Sequence, residues 1–436
     1  MRVLGLSVAA VLCCAVAAGE TPRVQTLPSL RDQAELVNSW TEERKALIPG
    51  LLRKYGVDAW LMSQREYAED TVFWALKSAT QFSARRRTTY LFLADPKHGA
   101  QSSYAWIDNT PAVWGELRDI LEDQQPDSIA LNTHAELAFA SGLHAGELGA
   151  ISDALGEELA GRFVLQPLLP IEVVATMVPG RLPWYRLMQE TAWAIIEEAF
   201  SARVIVPGKT TPRDVEWWMR EKLQSLNYTT WFQPSVSIMN EETFPAAGGS
   251  SASRAIQYGD FIHTDFGVTA LGLNTDTQHL GYVLRPGETE ADIPQGLIEG
   301  LRKSNRLQDM VREKMKIGLT GNEILKATLA QMREEGIGGK IYCHATGEWG
   351  HSAGTVVGMT NLQDSVPWLG DLPLLKDTYY SIELFAEHFV PELGRTLNFA
   401  QEEDVYWDAQ SESWEWVYGR QEKFHLVQTT AGPGEL

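Results

Sequence analysis

Cysteine is scarce in this chain. Its 436 residues include three, Cys13, Cys14 and Cys343, and the first two lie in an apolar N-terminal segment that resembles a secretion signal. Removal of that segment would leave Cys343 alone, which excludes an intrachain disulfide. Stability is therefore expected to come from a hydrophobic core or from a bound ion.

Basic residues are also few relative to acidic ones. The chain has 37 Lys and Arg against 57 Asp and Glu, a formal net charge of −20. Such a surface repels phosphate groups, so neither nucleic acid nor an anionic membrane is expected as a partner. With 44% hydrophobic residues, the chain can fill the cores of two or three globular domains.

Long apolar runs are missing after residue 18. The run from Val3 to Ala18 follows Arg2 and ends in small residues, which is typical of a signal peptide. It is too short to span a bilayer comfortably. The sequence therefore predicts a cleaved signal over residues 1–18 and an exported, periplasmic or secreted protein with no membrane attachment after cleavage. An uncleaved anchor and a lipoprotein linked through Cys13 or Cys14 are weaker alternatives.

Residues 19–180 alternate between helix-like and strand-like segments. The capping box Ser39-Trp40-Thr41-Glu42 predicts the start of an amphipathic helix. The segments VDAWLMS, TTYLFLA, SSYAWID and SIALN are rich in β-branched and aromatic residues and predict strands. These features indicate an α/β domain, which a stretch marked by Pro and Gly ends near residue 180.

Residues 181–436 contain a weak internal repeat. In each copy a long helix is predicted to end at a glycine, Gly208 or Gly318, and a threonine follows two residues later, before a second amphipathic helix. Strand-like sequence follows each helix pair. The pattern predicts two α-α-β-β halves whose strands form one curved sheet with the helices outside.

Two aspartates lie eleven residues apart in the β-prone stretch HTDFGVTALGLNTDTQ. His263 and Asp265 should share one face of a strand, and a bend at Gly272 would bring Asp276 beside Asp265. Two converging carboxylates repel unless one is protonated or a cation lies between them. A divalent metal ion satisfies this requirement.

The second half of the repeat supplies further candidate ligands. Each of them alone is more often an ordinary surface or core residue, although Glu383 in the apolar segment YSIELF needs a partner if it is buried. The joint order Asp, Asp, His, Glu, Glu is much more specific. The candidates are Asp265, Asp276, His344, His351, Glu383, Glu402 and Glu403.

This order and spacing resemble the pita-bread metallopeptidases, the group of methionine aminopeptidases, Xaa-Pro aminopeptidases, prolidases and creatinase. The resemblance covers about residues 182–436. Residues 19–180 resemble the N-terminal domain of the Xaa-Pro aminopeptidase, prolidase and creatinase branch. The implied fold is an α/β N-terminal domain followed, over residues 181–436, by an α+β pita-bread domain with a pseudo-two-fold repeat.

The resemblance implies a site with two metal ions. Asp265 would bind one ion, Asp276 and Glu402 would bridge both, and His344 with Glu383 would complete the second coordination sphere. Glu402 is preferred to its neighbour Glu403 because the last family ligand usually precedes an apolar strand by three residues.

The same resemblance implies the chemistry. His351 would contact the substrate and Glu383 would relay a proton, so these two are the predicted catalytic residues. The implied activity is hydrolysis of Xaa-Pro bonds in small peptides by an aminopeptidase or dipeptidase. The implied cofactors are two divalent ions, Mn, Co, Zn or Fe with Mn or Zn favoured, and the implied assembly is a homodimer.

Some positions depart from the proline-specific branch. Ala400 occupies the position where that branch tends to have Arg, two residues before the final Glu, and Leu384 replaces a Pro. The Gly-rich segment PAAGGSSAS lies where a His is expected. These differences leave the ligand set complete but bear on the substrate.

Three other functions remain possible. Gly350-His351-Ser352-Ala353-Gly354 matches the G-x-S-x-G motif of serine hydrolases, although the following TVVGMTN is a poor helix former. The same fold could hydrolyse a non-peptide amide or a related bond. A binding protein with a structural metal is disfavoured, because carboxylates with one His differ from the closed Cys and His sites of structural zinc.

Overall fold

The computed structural model describes residues 21–240 and 254–429. The predicted signal peptide and the segment PAAGGSSAS lie outside these residues. Within the described ranges, no helix combines the length and the apolar character needed to cross a bilayer.

The first part of the chain forms a five-stranded sheet with helices around it. The strand order is β3-β2-β1-β4-β5, with β1 antiparallel to β2 and parallel to β4. Its strands are Ala59–Arg65 (β1), Arg87–Leu93 (β2), Ser103–Ile107 (β3), Ile129–Leu131 (β4) and Phe163–Leu165 (β5). Its helices are Leu30–Lys54 (α1), Thr71–Leu76 (α2), Ala112–Gln124 (α3), Ala145–Ala160 (α4) and Leu168–Ala175 (α5). The four predicted strand segments coincide with β1 to β4.

The start of α1 differs from the prediction. The helix begins at Leu30, where the Ser29 side chain accepts a hydrogen bond from the backbone of Asp32. The predicted capping box at Ser39 therefore lies inside the helix. Its Trp40 and Thr41 are buried, and they continue the apolar face of the helix.

The second part of the chain forms a ten-stranded sheet, with α6 beginning directly after the predicted boundary. The main strand order is β13-β12-β14-β15-β10-β7-β6, and β11, β16 and β17 pair with β14, β15 and β10. The helices are Leu182–Ala199 (α6), Pro212–Ser225 (α7), Gln295–Lys314 (α8) and Gly321–Glu335 (α9). The strands of the large sheet are Ser235–Ile238 (β6), Phe261–Phe266 (β7), Thr277–Val283 (β10), Gly338–Ile341 (β11), Cys343–Thr346 (β12), Val356–Val357 (β13), Tyr379–Val390 (β14), Arg395–Asp408 (β15), Ser413–Trp416 (β16) and His425–Val427 (β17). Thr269–Ala270 (β8) and Leu273–Asn274 (β9) form a separate two-stranded sheet.

The internal repeat is present as two helix pairs, each followed by strands. The second helix of each pair starts with a capping box, Thr211 with Asp214 and Thr320 with Glu323. The predicted helix ends were wrong: α6 ends at Ala199 and α8 at Lys314. Gly208 and Gly318 instead lie in turns with φ of +81° and +87°, a backbone conformation that favours glycine.

The helices cover one face of the large sheet. Helix α8 approaches β15 so closely that a Cβ atom on Gly300 would lie 2.1 Å from the ring of Phe399. Side chains of β14 such as Ile382 and Leu384 point into this helix layer. The alternate residues of the same strands therefore face the opposite side, which is free for a polar site.

Candidate metal centre

Four adjacent strands each place one polar side chain in a single cross-strand row. Asp265 on β7 is paired with Gln278 on β10, Gln278 with Glu402 on β15, and Glu402 with Glu383 on β14. Directly paired residues of antiparallel strands project on the same face. The row therefore lies on the face opposite α8.

His344 and Asp276 lie beside this row. The Nε2 atom of His344 is 3.7 Å from Asp276 Oδ2, 3.7 Å from Glu383 Oε2 and 3.5 Å from Glu402 Oε1. Possible ligand atoms of Asp276, His344 and Glu402 all lie within 4.8 Å of one another. One nitrogen and two carboxylate oxygens thus lie close enough together to share an ion, and Glu383 Oε2 also lies near His344.

The charges at this point are not balanced by protein groups. The pKa values of Asp265, Asp276 and Glu383 are each raised well above the usual range of a carboxyl group. Burial is the largest cause, and the charge of Glu402 is the second. Three buried atoms, Asp265 Oδ1, Asp276 Oδ1 and His344 Nε2, have no hydrogen-bond partner among the described residues. A divalent cation would satisfy these atoms, and the mixture of carboxylates and one imidazole suits Mn, Co, Zn or Fe.

His351 lies at the edge of the cluster. Its ring meets that of His344 edge-on, with centroids 4.6 Å apart, and it also contacts Trp231 at 5.2 Å. Burial, followed by the charge of His344, lowers the pKa of His351. This burial is partial, because the residue as a whole remains exposed to solvent, and His351 therefore lies where a substrate could reach it.

Glu402 and Glu403 project on opposite faces of the sheet. Glu402 faces the cluster, whereas Glu403 accepts hydrogen bonds from His279 Nε2 at 2.8 Å and from Trp193 Nε1 at 3.2 Å. Trp193 belongs to α6, so Glu403 lies on the helix-covered side. This register favours Glu402 as the ligand, in line with the sequence-based preference.

The two substitutions Glu402→Gln and Glu403→Gln should have different effects on metal binding. Glu402→Gln removes a charged ligand and is expected to weaken Mn²⁺ binding at least about 100-fold, since loss of an outer hydrogen-bond partner alone costs about 10- to 100-fold. The Glu403→Gln protein keeps an oxygen that can accept from His279. Its Mn²⁺ affinity, measured by equilibrium dialysis, should stay within about tenfold of wild type, and the reverse order would assign the ligand to Glu403.

Comparison with known proteins supports the predicted fold and the predicted class of enzyme. Residues 185–394 match the sequence profile of metallopeptidase family M24. This domain belongs to metallopeptidase family M24. The M24 domain contains all the predicted ligands except Glu402, which lies eight residues beyond the matched segment. The chain is accordingly a metal-dependent peptidase, and its predicted pita-bread fold is confirmed.

Solved structures resemble the chain over most of its length. The X-Pro aminopeptidase from Thermotoga maritima MSB8 shares 16% identity with a TM-score of 0.57, covering 87% of this chain and 100% of that one. The Xaa-Pro dipeptidase from Bacillus anthracis shares 14% identity with a TM-score of 0.55, covering 91% and 99%. The prolidase from Pyrococcus horikoshii OT3 shares 14% identity with a TM-score of 0.54, covering 87% and 99%. No curated protein sequence matches the chain significantly.

The surroundings of Ser352 do not match those of the nucleophile in a serine hydrolase. That motif needs a strand before the serine and a helix after it, but Ser352 lies between β12 and the short strand β13. Its Oγ atom is buried without a hydrogen-bond partner among the described residues. In the part of the chain that the structure describes, no general base is therefore in position to activate it.

Three polar residues at or beside the candidate metal centre were not predicted from the sequence. Gln278 lies inside the carboxylate row, and Ser381 donates a hydrogen bond to Glu402. Asp404 is buried and accepts from Tyr185 at 2.8 Å and from the backbone of Asp276 at 3.2 Å. All three lie two residues from a predicted ligand, so strand alternation was the signal that could have identified them.

Proposed function

We propose that the chain hydrolyses the bond before proline in short peptides, using two divalent ions held by the predicted ligands. The main support is that ligand atoms of Asp276, His344 and Glu402 lie within 4.8 Å of one another. Glu383 Oε2 lies 3.7 Å from His344 Nε2, and Asp265 belongs to the same cross-strand row as Glu402 and Glu383. The names of the similar structures, X-Pro aminopeptidase, Xaa-Pro dipeptidase and prolidase, agree with this substrate class.

Divalent ions at such a site activate a water molecule near neutral pH and polarise a bound carbonyl group. Asp276 and Glu402 would hold the ions in place, and their burial keeps bulk water away from the reacting groups. His351 would donate a hydrogen bond to the oxygen on which negative charge develops. Glu383, which is partly exposed, would pass a proton to the leaving amine.

The neighbouring cross-strand pair favours peptides longer than a dipeptide. Ala400 pairs with Phe385 next to the Glu402–Glu383 pair on β15 and β14, and both side chains are buried and apolar. This pair offers no cation to a free carboxylate. Since the carboxylate of an Xaa-Pro dipeptide lies close to the scissile bond, a tripeptide avoids the cost of placing that charge beside apolar groups.

Product analysis on matched peptides tests this function. The purified protein with added Mn²⁺ or Zn²⁺ should release the first residue from Xaa-Pro-Yaa tripeptides faster than from Xaa-Pro dipeptides, and much faster than from proline-free controls. A chelator should stop the reaction and added metal should restore it. Equal cleavage of proline-free peptides would refute the proline preference, and a metal-loaded protein inert towards every peptide would favour a non-peptide substrate.

Export and dimer formation are two further proposals. The signal-like N-terminus supports export, and N-terminal mass spectrometry should find a chain that begins near Ala18 or Gly19. The resemblance to the proline-specific branch supports a homodimer, which sedimentation analysis would distinguish from a monomer. An intact Met1 on the exported protein, or a monomer at micromolar concentration, would refute the respective proposal.

A further inference from the structure

A cavity of about 400 Å³ lies between the N-terminal α/β part of the chain and the M24 domain. The N-terminal part contributes Trp74 of α2 and Lys77, and the M24 domain contributes Glu348, Trp349 and the turn at residues 271–272 between β8 and β9. Its volume falls in the range of sites for small ligands. Among the described residues that line the cavity there is no predicted metal ligand, so this is a separate space beside the metal centre.

The cavity carries an excess of positive charge. Glu348 is the only acidic side chain among its described lining residues, and its Oε1 accepts from Arg44 at 2.7 Å and from Arg181 at 2.5 Å. Lys77 is a third cation. Burial lowers the pKa of Lys77, and the charge of Glu348 opposes this shift. Three positive charges against one negative charge leave the region positive, in a chain whose net charge is −20, and an anionic ligand would restore the balance.

Two of these cations have hydrogen-bond donors to spare. Arg181 is only 2% exposed, yet its Nε has no hydrogen-bond partner among the described residues. The Lys77 ammonium group donates to the carbonyl of Ser78 at 3.3 Å and lies 5.8 Å from the centre of the Trp74 ring. Because an ammonium group has three hydrogens to donate, Lys77 can still bind a carboxylate oxygen.

The cavity adjoins the candidate metal centre along two chain segments. Trp349 precedes His351 by two residues. The turn at residues 271–272 leads to Asn274, whose side chain donates to the carbonyl of Glu348 at 2.8 Å and so joins the two segments. Two residues of extended chain span at most about 7 Å. The carboxylate of an Xaa-Pro-Yaa tripeptide also lies two residues beyond the scissile bond, a separation of the same order.

We propose that this cavity binds the C-terminal carboxylate of a tripeptide substrate and that Lys77 is the residue that contacts it. Arg181 adds positive charge, and the rings of Trp74 and Trp349 form apolar walls that strengthen the attraction by excluding water. This inference deepens the proposed function and rests on it, because it concerns the same peptide substrate. The preferred substrate is then an Xaa-Pro-Yaa tripeptide with a free C-terminus.

The test compares Xaa-Pro-Ala with its C-terminal amide as substrates of the Mn²⁺-loaded protein. The wild-type protein should prefer the free acid about tenfold in kcat/KM, mainly through KM, the scale of a hydrogen bond to a charged group. Lys77→Gln should weaken cleavage of the free acid alone and reduce the preference to within about twofold. Lys77→Arg keeps the charge, so the preference should survive in this variant.

Lys97→Gln is the matched control. Lys97 is an exposed lysine of the N-terminal part, and its ammonium group also donates to one backbone carbonyl, that of Gln124 at 2.8 Å. It does not line the cavity. The substitution removes the same charge, so the preference for the free acid should persist. An equal loss of preference in Lys97→Gln and Lys77→Gln would assign the effect to overall charge and refute the proposal.

The remaining outcomes separate this inference from the proposed function. Equal cleavage of the free acid and the amide by the wild-type protein would overturn the inference and leave the proposed peptidase intact. A preference for amidated Xaa-Pro-Glu over amidated Xaa-Pro-Ala that Lys77→Gln removes would assign the cavity to an acidic side chain, against a C-terminal carboxylate. Failure of the metal-loaded protein to cleave any of these peptides would overturn the proposed function, and the inference with it.

Discussion

Asp276→Ala is expected to lower kcat/KM more than about a hundredfold, because in the proposed two-ion site it would remove a shared ligand and leave the water unactivated. Asp276 lies 3.7 Å from His344 and is buried with an unpaired Oδ1. Removing one of several like charges should not unfold the metal-free chain. The expected loss is therefore one of turnover with the fold retained, which peptide hydrolysis and circular dichroism together would show.

Ser352→Ala is the control for this prediction. In a metallopeptidase Ser352 is only the neighbour of His351, so turnover should stay within about an order of magnitude of wild type. In a serine hydrolase the same change would cost roughly a millionfold, as loss of a nucleophile does in serine proteases. A chelator-resistant enzyme inactivated by Ser352→Ala would contradict the metal-dependent mechanism.

The second large effect is expected on stability. Glu348 accepts hydrogen bonds from Arg44 of α1 at 2.7 Å and from Arg181, just before α6, at 2.5 Å. Both guanidinium groups are buried, and the repulsion between them contributes, after desolvation, to a lowered pKa of Arg44 of about 10. Glu348→Ala leaves two buried cations without a counter-ion, which should destabilise the protein by about 3–5 kcal/mol.

This loss of stability would be measured as a lower midpoint of urea-induced unfolding. Glu42→Ala is a suitable control, because Glu42 pairs with Lys45 on the surface with 71% of its side chain exposed. Exposed pairs of this kind contribute about 1 kcal/mol or less. Glu348 precedes His351 by three residues, so activity should fall along with stability. Equal midpoints for the two variants would show that the buried cluster does not hold the two parts of the chain together.

The candidate ligand residues could be selected from the sequence because acidic side chains are unusual in apolar, strand-like stretches. Acidic residues in strand-like stretches, such as Asp265 and Glu383, are too costly to bury without a cation, and this argument needs no coordinates. The repeat and the two-part organisation also followed from patterns of hydrophobicity and turn residues.

Other features required the structure. Gln278 is an ordinary amide in sequence terms, and its place in the carboxylate row depends on the pairing of β10 with β15, in which it bonds to a residue 124 positions away. The start of α1 at Leu30 was missed for a local reason. A Ser-x-x-Glu pattern also occurs within helices, and here the helix has already begun at Leu30 with Ser29 as its N-cap.

The crowded carboxylates of the large sheet link the lifetime of the protein to its metal supply. Five acidic side chains share this region, Asp265, Asp276, Glu383, Glu402 and Asp404. An ion that binds only the folded chain stabilises it by about 2.7 kcal/mol when its concentration is 100 times the Kd. In a metal-poor environment the unfolded fraction, and with it degradation, would rise. The cellular abundance of this protein, and its melting temperature in vitro, should therefore report the free metal concentration around it.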